Sequence, residues 1–200
     1  MFWDIAAKYY DFFEKLYNGK VYKELGDRVA EYVSESDRVL ECACGTGCIT
    51  KSVANKCSTI IATDYSEGML VQAQKNCKKL GNITFEKSNI FSLSYADNTF
   101  DKVIAGNVIH LLDEPKTAMD ELMRVCKPGG MLIIPTYVNI CKDGNPSFIV
   151  KFLEMLGVKF KRQFSPESYK EFFQKMGYSD VSFNLVEGKM PCCIARITKN

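Results

Sequence analysis

A chain of 200 residues is long enough for one domain that buries about 70% of its unfolded surface without disulfide or metal staples. Its 26 basic and 24 acidic side chains leave a formal charge of +2, too small a field to hold a polyanion, so nucleic acid is not an expected partner. Nine cysteines, odd in number and set inside apolar runs at Cys42, Cys57, Cys77 and Cys126, argue for a reduced, cytoplasmic setting rather than a disulfide framework.

The opening, MFWDIAAKYYDFF, carries Asp4 and Asp11 without a basic leader, and no apolar run reaches the ~20 residues of a membrane span. Trp3, Tyr9 and Tyr10 fall at helical spacing, and a second helical stretch runs from Val21 to Val33. Two patterns then alternate. Strand-length apolar runs at 38–42, 58–63, 83–87, 101–105 and 131–136 are separated by helix-spaced stretches such as 67–80 and 117–126. That rhythm is βαβ, an α/β fold whose parallel sheet is covered on both faces by helices. Pro115 suits a first helical turn, and Lys127-Pro128-Gly129-Gly130 is expected to stop that helix before the next strand.

Beyond Pro135 the rhythm breaks. Gly144-Asn145-Pro146 precedes an expected short helix over 147–156 and a basic cluster of Lys159, Lys161 and Arg162. Ser165-Pro166-Glu167 supplies an N-cap, a proline at the first helical position and a first-turn acid for a helix ending near Gly177. The runs 180–187 and 192–198, either side of Gly188, predict an antiparallel hairpin.

The stretch VLECACGTGCIT, residues 39–50, carries the chemistry. As a zinc knuckle, Cys42, Cys44 and Cys48 lack a second pair at knuckle spacing, so no metal is assigned. As a dinucleotide cradle, Gly45-x-Gly47 needs a third glycine where Thr50 stands, and the lysine of a phosphate-binding P-loop is missing, which weakens a nicotinamide-dependent oxidoreductase. The next strand run leads into Asp64. A carboxylate at the carboxyl edge of a neighbouring strand can accept both hydroxyls of a ribose, and the glycines let the backbone approach it, so the pair implies a nucleoside.

Five segments in order now carry a family resemblance: FWDIAAKYYD, VLECACGTG, IIATDYSEGML, DNTFDKVIAGNVIHLL and ELMRVCKPGGMLII. From about residue 2 to 136 the chain resembles the class I S-adenosylmethionine-dependent methyltransferases, in the small single-domain group that includes the ubiquinone and menaquinone biosynthesis enzymes. The resemblance implies a Rossmann-like, doubly wound, mostly parallel seven-stranded sheet closed by the C-terminal antiparallel hairpin. It implies a helical cap over 1–33, a cofactor-binding core over 37–136, an acceptor-capping insertion over 138–164, and S-adenosyl-L-methionine as cofactor. By the same resemblance Glu41 orients the methionine end, and Ala43, Cys44, Gly45 and Gly47 form the loop beneath it. Asp64 takes the ribose, Tyr65 and Met69 lie beside the adenine, and Asn89 and Ile90 hold its amine and ring. Asn107 stands at the methyl end, and Tyr10 reaches the methionine carboxylate. Three positions depart from the family pattern: Glu41 for Asp, Ala43 for the first Gly, and Asn89 for Asp, which keeps an acceptor without its charge. The Asn/Asp-Pro-Pro-aromatic signature of nucleic-acid adenine methyltransferases is replaced by Asn107-Val108-Ile109-His110.

Methyl transfer from a sulfonium is an in-line displacement activated by the cofactor, so alignment and water exclusion matter more than a dedicated catalytic group. His110, the only histidine, is the candidate general base, with a packing role as its alternative. Aromatic residues in 1–33 and aromatic and basic ones in 138–164 suggest a small, partly apolar acceptor. A methyltransferase acting on RNA or protein is the alternative, and an oxidoreductase a weaker one.

Overall fold

In the computed structural model, which describes residues 2–138 and 160–200, each apolar run becomes a strand. These are β1 Arg38–Cys42, β2 Thr59–Asp64, β3 Ile83–Lys87, β4 Phe100–Ala105, β5 Cys126–Tyr137, β6 Ser182–Val186 and β7 Cys192–Thr198. They form one seven-stranded sheet in the order β3-β2-β1-β4-β5-β7-β6. The first five are mutually parallel, and β7 runs antiparallel between β5 and β6. Val39, Leu40, Glu41 and Cys42 are all buried, as expected of a central parallel strand covered on both faces. Chain direction across the sheet reverses between β1 and β4, and the carboxyl ends at such a switch point leave a crevice.

The helices cover both faces: α1 Phe2–Ala30, α2 Cys48–Ala54, α3 Glu67–Asn76, α4 Pro115–Val125 and α5 Pro166–Lys175. Ser66 caps α3 by accepting the Met69 amide at 3.2 Å. On α4, Ala118, Met119, Leu122 and Val125 form a fully buried stripe. Helix α5 opens with a reciprocal box in which the Ser165 hydroxyl accepts the Ser168 amide at 3.1 Å and the Ser168 hydroxyl accepts the Ser165 amide at 2.8 Å. Its Tyr169, fully buried, donates to the Ile134 carbonyl at 2.8 Å and ties the helix to β5.

Helix α1 unites the two expected N-terminal stretches across a kink at Asn18, whose φ/ψ of −128°/32° is not helical. The cause is local. The buried Asn18 amide donates to the Met190 carbonyl at 2.8 Å and accepts the Met190 amide at 3.2 Å, so one side chain completes both backbone groups of the β6–β7 turn. A Cβ at Gly188 would stand 2.2 Å from Val21 Cγ2, so only glycine lets that turn pass the helix. After the kink, Val21, Leu25, Val29 and Ala30 pack with Val39, Ile49, Ile133 and Ile194.

Two expectations change. Helix α3 ends at Asn76, not near Leu80, because Cys77 closes the last turn onto Ala73. Strand β5 begins at Cys126, directly after α4, so Lys127-Pro128-Gly129-Gly130 is a bulged strand rather than a stop. The register shifts between Phe100 and Lys102 to absorb it, and Gly129 adopts φ +75°. Lys199 closes this bulge by pairing its backbone with Gly129 and Gly130 at 2.7 and 2.9 Å. The turn at 144–146 and the helix over 147–156 lie outside the described residues. No helix among the described residues is long and apolar enough to cross a membrane.

Candidate active site

The turn from β1 into α2 takes three consecutive odd-numbered residues into the left-handed region: Ala43 at φ 55°, Gly45 at 56° and Gly47 at 84°. The Cys44 amide donates to the Thr63 carbonyl at 2.9 Å, holding the loop over the end of β2. A Cβ at Gly45 would meet nothing within 4 Å, whereas one at Gly47 would lie 3.1 Å from Cys77 Sγ. Gly45 is thus glycine for its conformation, and Gly47 also for close packing on α3. Ala43 carries a side chain in a conformation that costs an L-residue about 1–2 kcal/mol.

Beside this loop, at the carboxyl ends of the strands, opens a cavity of about 460 Å³, within the range of small-molecule sites. Of the residues expected to form the site, Glu41, Ala43, Cys44, Gly45, Asp64, Tyr65, Met69, Asn89, Ile90 and Asn107 line it. Gly47 does not, since it faces Cys77 and Ala73. Tyr10 lies on α1, with its side chain outside the described residues.

Glu41 is buried and accepts the Thr50 hydroxyl at 2.6 Å. Loss of solvent pushes its carboxyl up to about 8, against the pull of that hydrogen bond. An acid in this state suits a cationic ammonium that would ionise it. Asp64 accepts the Gly45 amide on one oxygen and the Ser66 amide on the other, both at 2.9 Å. Burial raises its pKa above the ordinary value while these bonds oppose the rise. Each oxygen keeps a second lone pair, which suits the two hydroxyls of a ribose. Asn89 turns its side-chain oxygen to the Phe91 amide at 3.1 Å, which fixes the start of the loop carrying Ile90 and Phe91 into the cavity. The site therefore fits a ligand with a vicinal diol, a flat ring and an ammonium.

Asn107 has a scaffolding part. At φ 52° its amide donates to the Pro135 carbonyl at 2.8 Å, and its side-chain oxygen accepts the Tyr137 amide at 3.0 Å, joining the ends of β4 and β5 at the cavity wall.

His110 is not among the residues lining the cavity. It sits in a 3₁₀ turn, Ile109–Leu111, whose course carries the ring beneath Phe160, stacked at 5.6 Å and 19°. Burial holds its pKa down at about 4, and its Nδ1 has no hydrogen-bond partner among the described residues. In this structure the ring is a buried, packed side chain stacked on Phe160. Burial likewise pushes the Cys42 thiol up to about 12 and raises that of Cys44, so these sulfurs are protonated rather than nucleophilic. Among the described residues no group of three histidine, cysteine or acidic side chains could hold a metal ion.

Sequence reasoning missed Thr46, Tyr22, Ser88, Phe91 and Tyr137, all of which line the cavity. Phe91, adjacent to Ile90, was within reach of a pattern argument. Tyr22 and Tyr137 come from a kinked helix and a distant strand, and no local signal marks them.

Residues 40–134 match the family described as "Methyltransferase domain". The demethylmenaquinone methyltransferase of Clavibacter sepedonicus is 33% identical over 98 residues, which is 49% of this chain and 40% of that protein. The enzyme of that name from Renibacterium salmoninarum is 28% identical over 173 residues, covering 76% and 70%. The match with the former thus spans about two fifths of that relative's length. A Thermotoga maritima structure described as a SAM-dependent methyltransferase, possibly a histamine N-methyltransferase, superposes at a TM-score of 0.73 with 21% identity, covering 100% of both chains. The matched stretch is the one that supplies the glycine loop, Asp64 and the loop through Phe91, so the cofactor side of the cavity lies in the part of the chain that is similar to a methyltransferase domain.

Proposed function

We propose that this protein transfers a methyl group from S-adenosyl-L-methionine to a small, partly apolar acceptor by in-line displacement. One observation carries the reading: Glu41 and Asp64 lie near the carboxyl ends of neighbouring parallel strands and both line one cavity beside a glycine loop. In this reading Asp64 grips the ribose hydroxyls and Glu41 pairs with the ammonium of the methionine end. Ala43, Cys44 and Gly45 lie beneath that end, with Gly47 setting the loop from behind and Tyr10 approaching from α1. Tyr65, Met69, Asn89 and Ile90 enclose the adenine, and Asn107 shapes the methyl end.

The cofactor, when bound, supplies the activated methyl, so the chain's own residues have to align the acceptor and exclude water. Trp3, Tyr22, Leu25, Leu111, Leu112 and Tyr137 give the rest of the cavity an aromatic and apolar wall, which supports a small organic acceptor. The relatives named demethylmenaquinone methyltransferases support the same class. Residues 1–33 act as a cap, 37–136 as the cofactor core and 138–164 as the acceptor cap, most of the last lying outside the described residues. The cysteine-rich composition supports a reduced, cytoplasmic setting.

The test is calorimetric titration with S-adenosylhomocysteine and, in parallel, a nicotinamide dinucleotide, followed by a screen of metabolite extracts with methyl-labelled cofactor. Binding of S-adenosylhomocysteine and label in a small product is the expected result. Binding of the dinucleotide alone would reverse the assignment, and label appearing only in RNA or protein would replace the acceptor class.

A further inference from the structure

Helix α1 before its kink runs alongside α3, and two acids fasten it there. Near the amino end of α3, Asp4 accepts the Ser66 hydroxyl at 2.6 Å and the Gly68 amide at 3.1 Å. Near the carboxyl end, Asp11 accepts the Asn76 amide at 2.7 Å, the Tyr22 hydroxyl at 2.8 Å and the Thr46 hydroxyl. Asn76 also donates to the Thr46 carbonyl at 2.8 Å, so Thr46, inside the glycine loop, is held by its side chain and its backbone together. At Asp4 the Ser66 hydroxyl and the Gly68 amide hold the pKa down at about 2.

We propose that Asp4 and Asp11 are positioning residues of the cofactor site, a two-point latch through which the segment before the kink holds Trp3 and the Thr46 loop against bound S-adenosylmethionine. The inference rests on the function proposed above. Three further observations carry it. Trp3, next to Asp4, lines the cavity, as do Thr46 and Tyr22. Ser66 joins latch to ligand site, because its hydroxyl donates to Asp4 while its amide donates to Asp64 at 2.9 Å. Gly68 is the third: a Cβ there would stand 2.7 Å from Asp4 Cα and 2.8 Å from the Asp4 carbonyl oxygen. Those are backbone atoms with no rotamer to relieve the contact, so Gly68 is the residue that lets the segment dock.

Gly68 therefore separates latch from fold. Alanine favours a helix over glycine, so Gly68→Ala is expected to leave the melting temperature of the ligand-free protein unchanged or higher while preventing docking. S-adenosylhomocysteine binding, measured by calorimetry, should weaken about tenfold in Gly68→Ala and in Asp4→Ala, as for the loss of one or two charge-assisted hydrogen bonds. The ligand-induced change in Trp3 emission should shrink in both. Thr46→Val removes the hydroxyl through which Asp11 acts directly and leaves the route through Asn76, so Asp11→Asn should weaken binding more in the wild-type background than in Thr46→Val. Wild-type affinity with an intact Trp3 response in Gly68→Ala and Asp4→Ala, or full additivity of the Asp11 and Thr46 changes, would overturn the latch. Failure of the wild-type protein to bind S-adenosylhomocysteine would instead sink the proposed function.

Discussion

Asp64 accepts the backbone amide of Gly45 across the gap between β2 and the glycine loop, at 2.9 Å. With Ser66 on its other oxygen, the carboxylate both shapes the loop and faces the ligand. Asp64→Ala is expected to weaken S-adenosylhomocysteine binding by about 2–4 kcal/mol. Asp64→Asn should fall close to that value rather than near wild type, because its NH₂ must oppose one of two N–H donors. Calorimetry giving near-native affinity for Asp64→Asn would mean that the loop bonds are dispensable.

Glu41 makes binding pH-dependent. Its carboxyl titrates near 8 in the folded protein and near 4.5 in the unfolded chain. A group whose folded pKa is raised contributes stability that is complete below the unfolded value and lost as pH rises through the folded one. The ligand-free protein should therefore lose stability between about pH 4.5 and 8, and Glu41→Gln should flatten that slope. An ammonium ligand needs the ionised form, so affinity for S-adenosylhomocysteine should rise with pH up to about 8, by at most about tenfold per unit. Titrations across pH 6 to 8.5 check this, and a flat profile identical to that of Glu41→Gln would contradict it.

Ala43→Gly should stabilise the protein slightly. Relief of about 1–2 kcal/mol of left-handed strain outweighs the roughly 0.5–1 kcal/mol of extra backbone entropy lost by glycine. Thermal melts should rise by a few degrees at most, and a lower melting point would show that the Ala43 methyl packs usefully on the cavity wall.

His110→Phe should keep methyl-transfer turnover within a few-fold of wild type, once an acceptor is known. Its folded pKa lies near 4 against 6.5 in the unfolded chain. A depressed pKa contributes stability that is present above the unfolded value and lost as pH falls through the folded one. The substitution should remove that loss below about pH 6.5 and, by deleting a buried nitrogen that has no partner among the described residues, stabilise by about 1 kcal/mol. Turnover reduced a hundredfold with the fold intact would assign the histidine as the base.

Asn89→Asp should bind S-adenosylhomocysteine as tightly or more tightly. One oxygen keeps the Phe91 amide and the other offers a charged acceptor in place of an NH₂ group. A large loss in calorimetry would mean that the adenine amine is held elsewhere.

The sequence by itself determined the α/β class, the parallel core, the C-terminal hairpin and the acid-glycine pattern of the site. Each of these is written in short-range periodicity, in turn residues such as Gly45, and in a single acid at a strand end. Segment ends were less legible where one conformation gave way to another without a breaker. At Cys126 helix becomes strand directly, and the Pro-Gly-Gly that reads as a stop is absorbed by a bulge against β4. Only the tertiary structure decided which side chains share the cavity. Gly47 and His110 occupy sequence positions beside the site, yet packing on Cys77 and Phe160 turns them away from it. Tyr22 and Trp3 reach the cavity because Asn18, pinned to Met190 far along the chain, bends α1 across the sheet edge. Contacts of that separation depend on how whole elements dock, which periodicity along the chain does not encode.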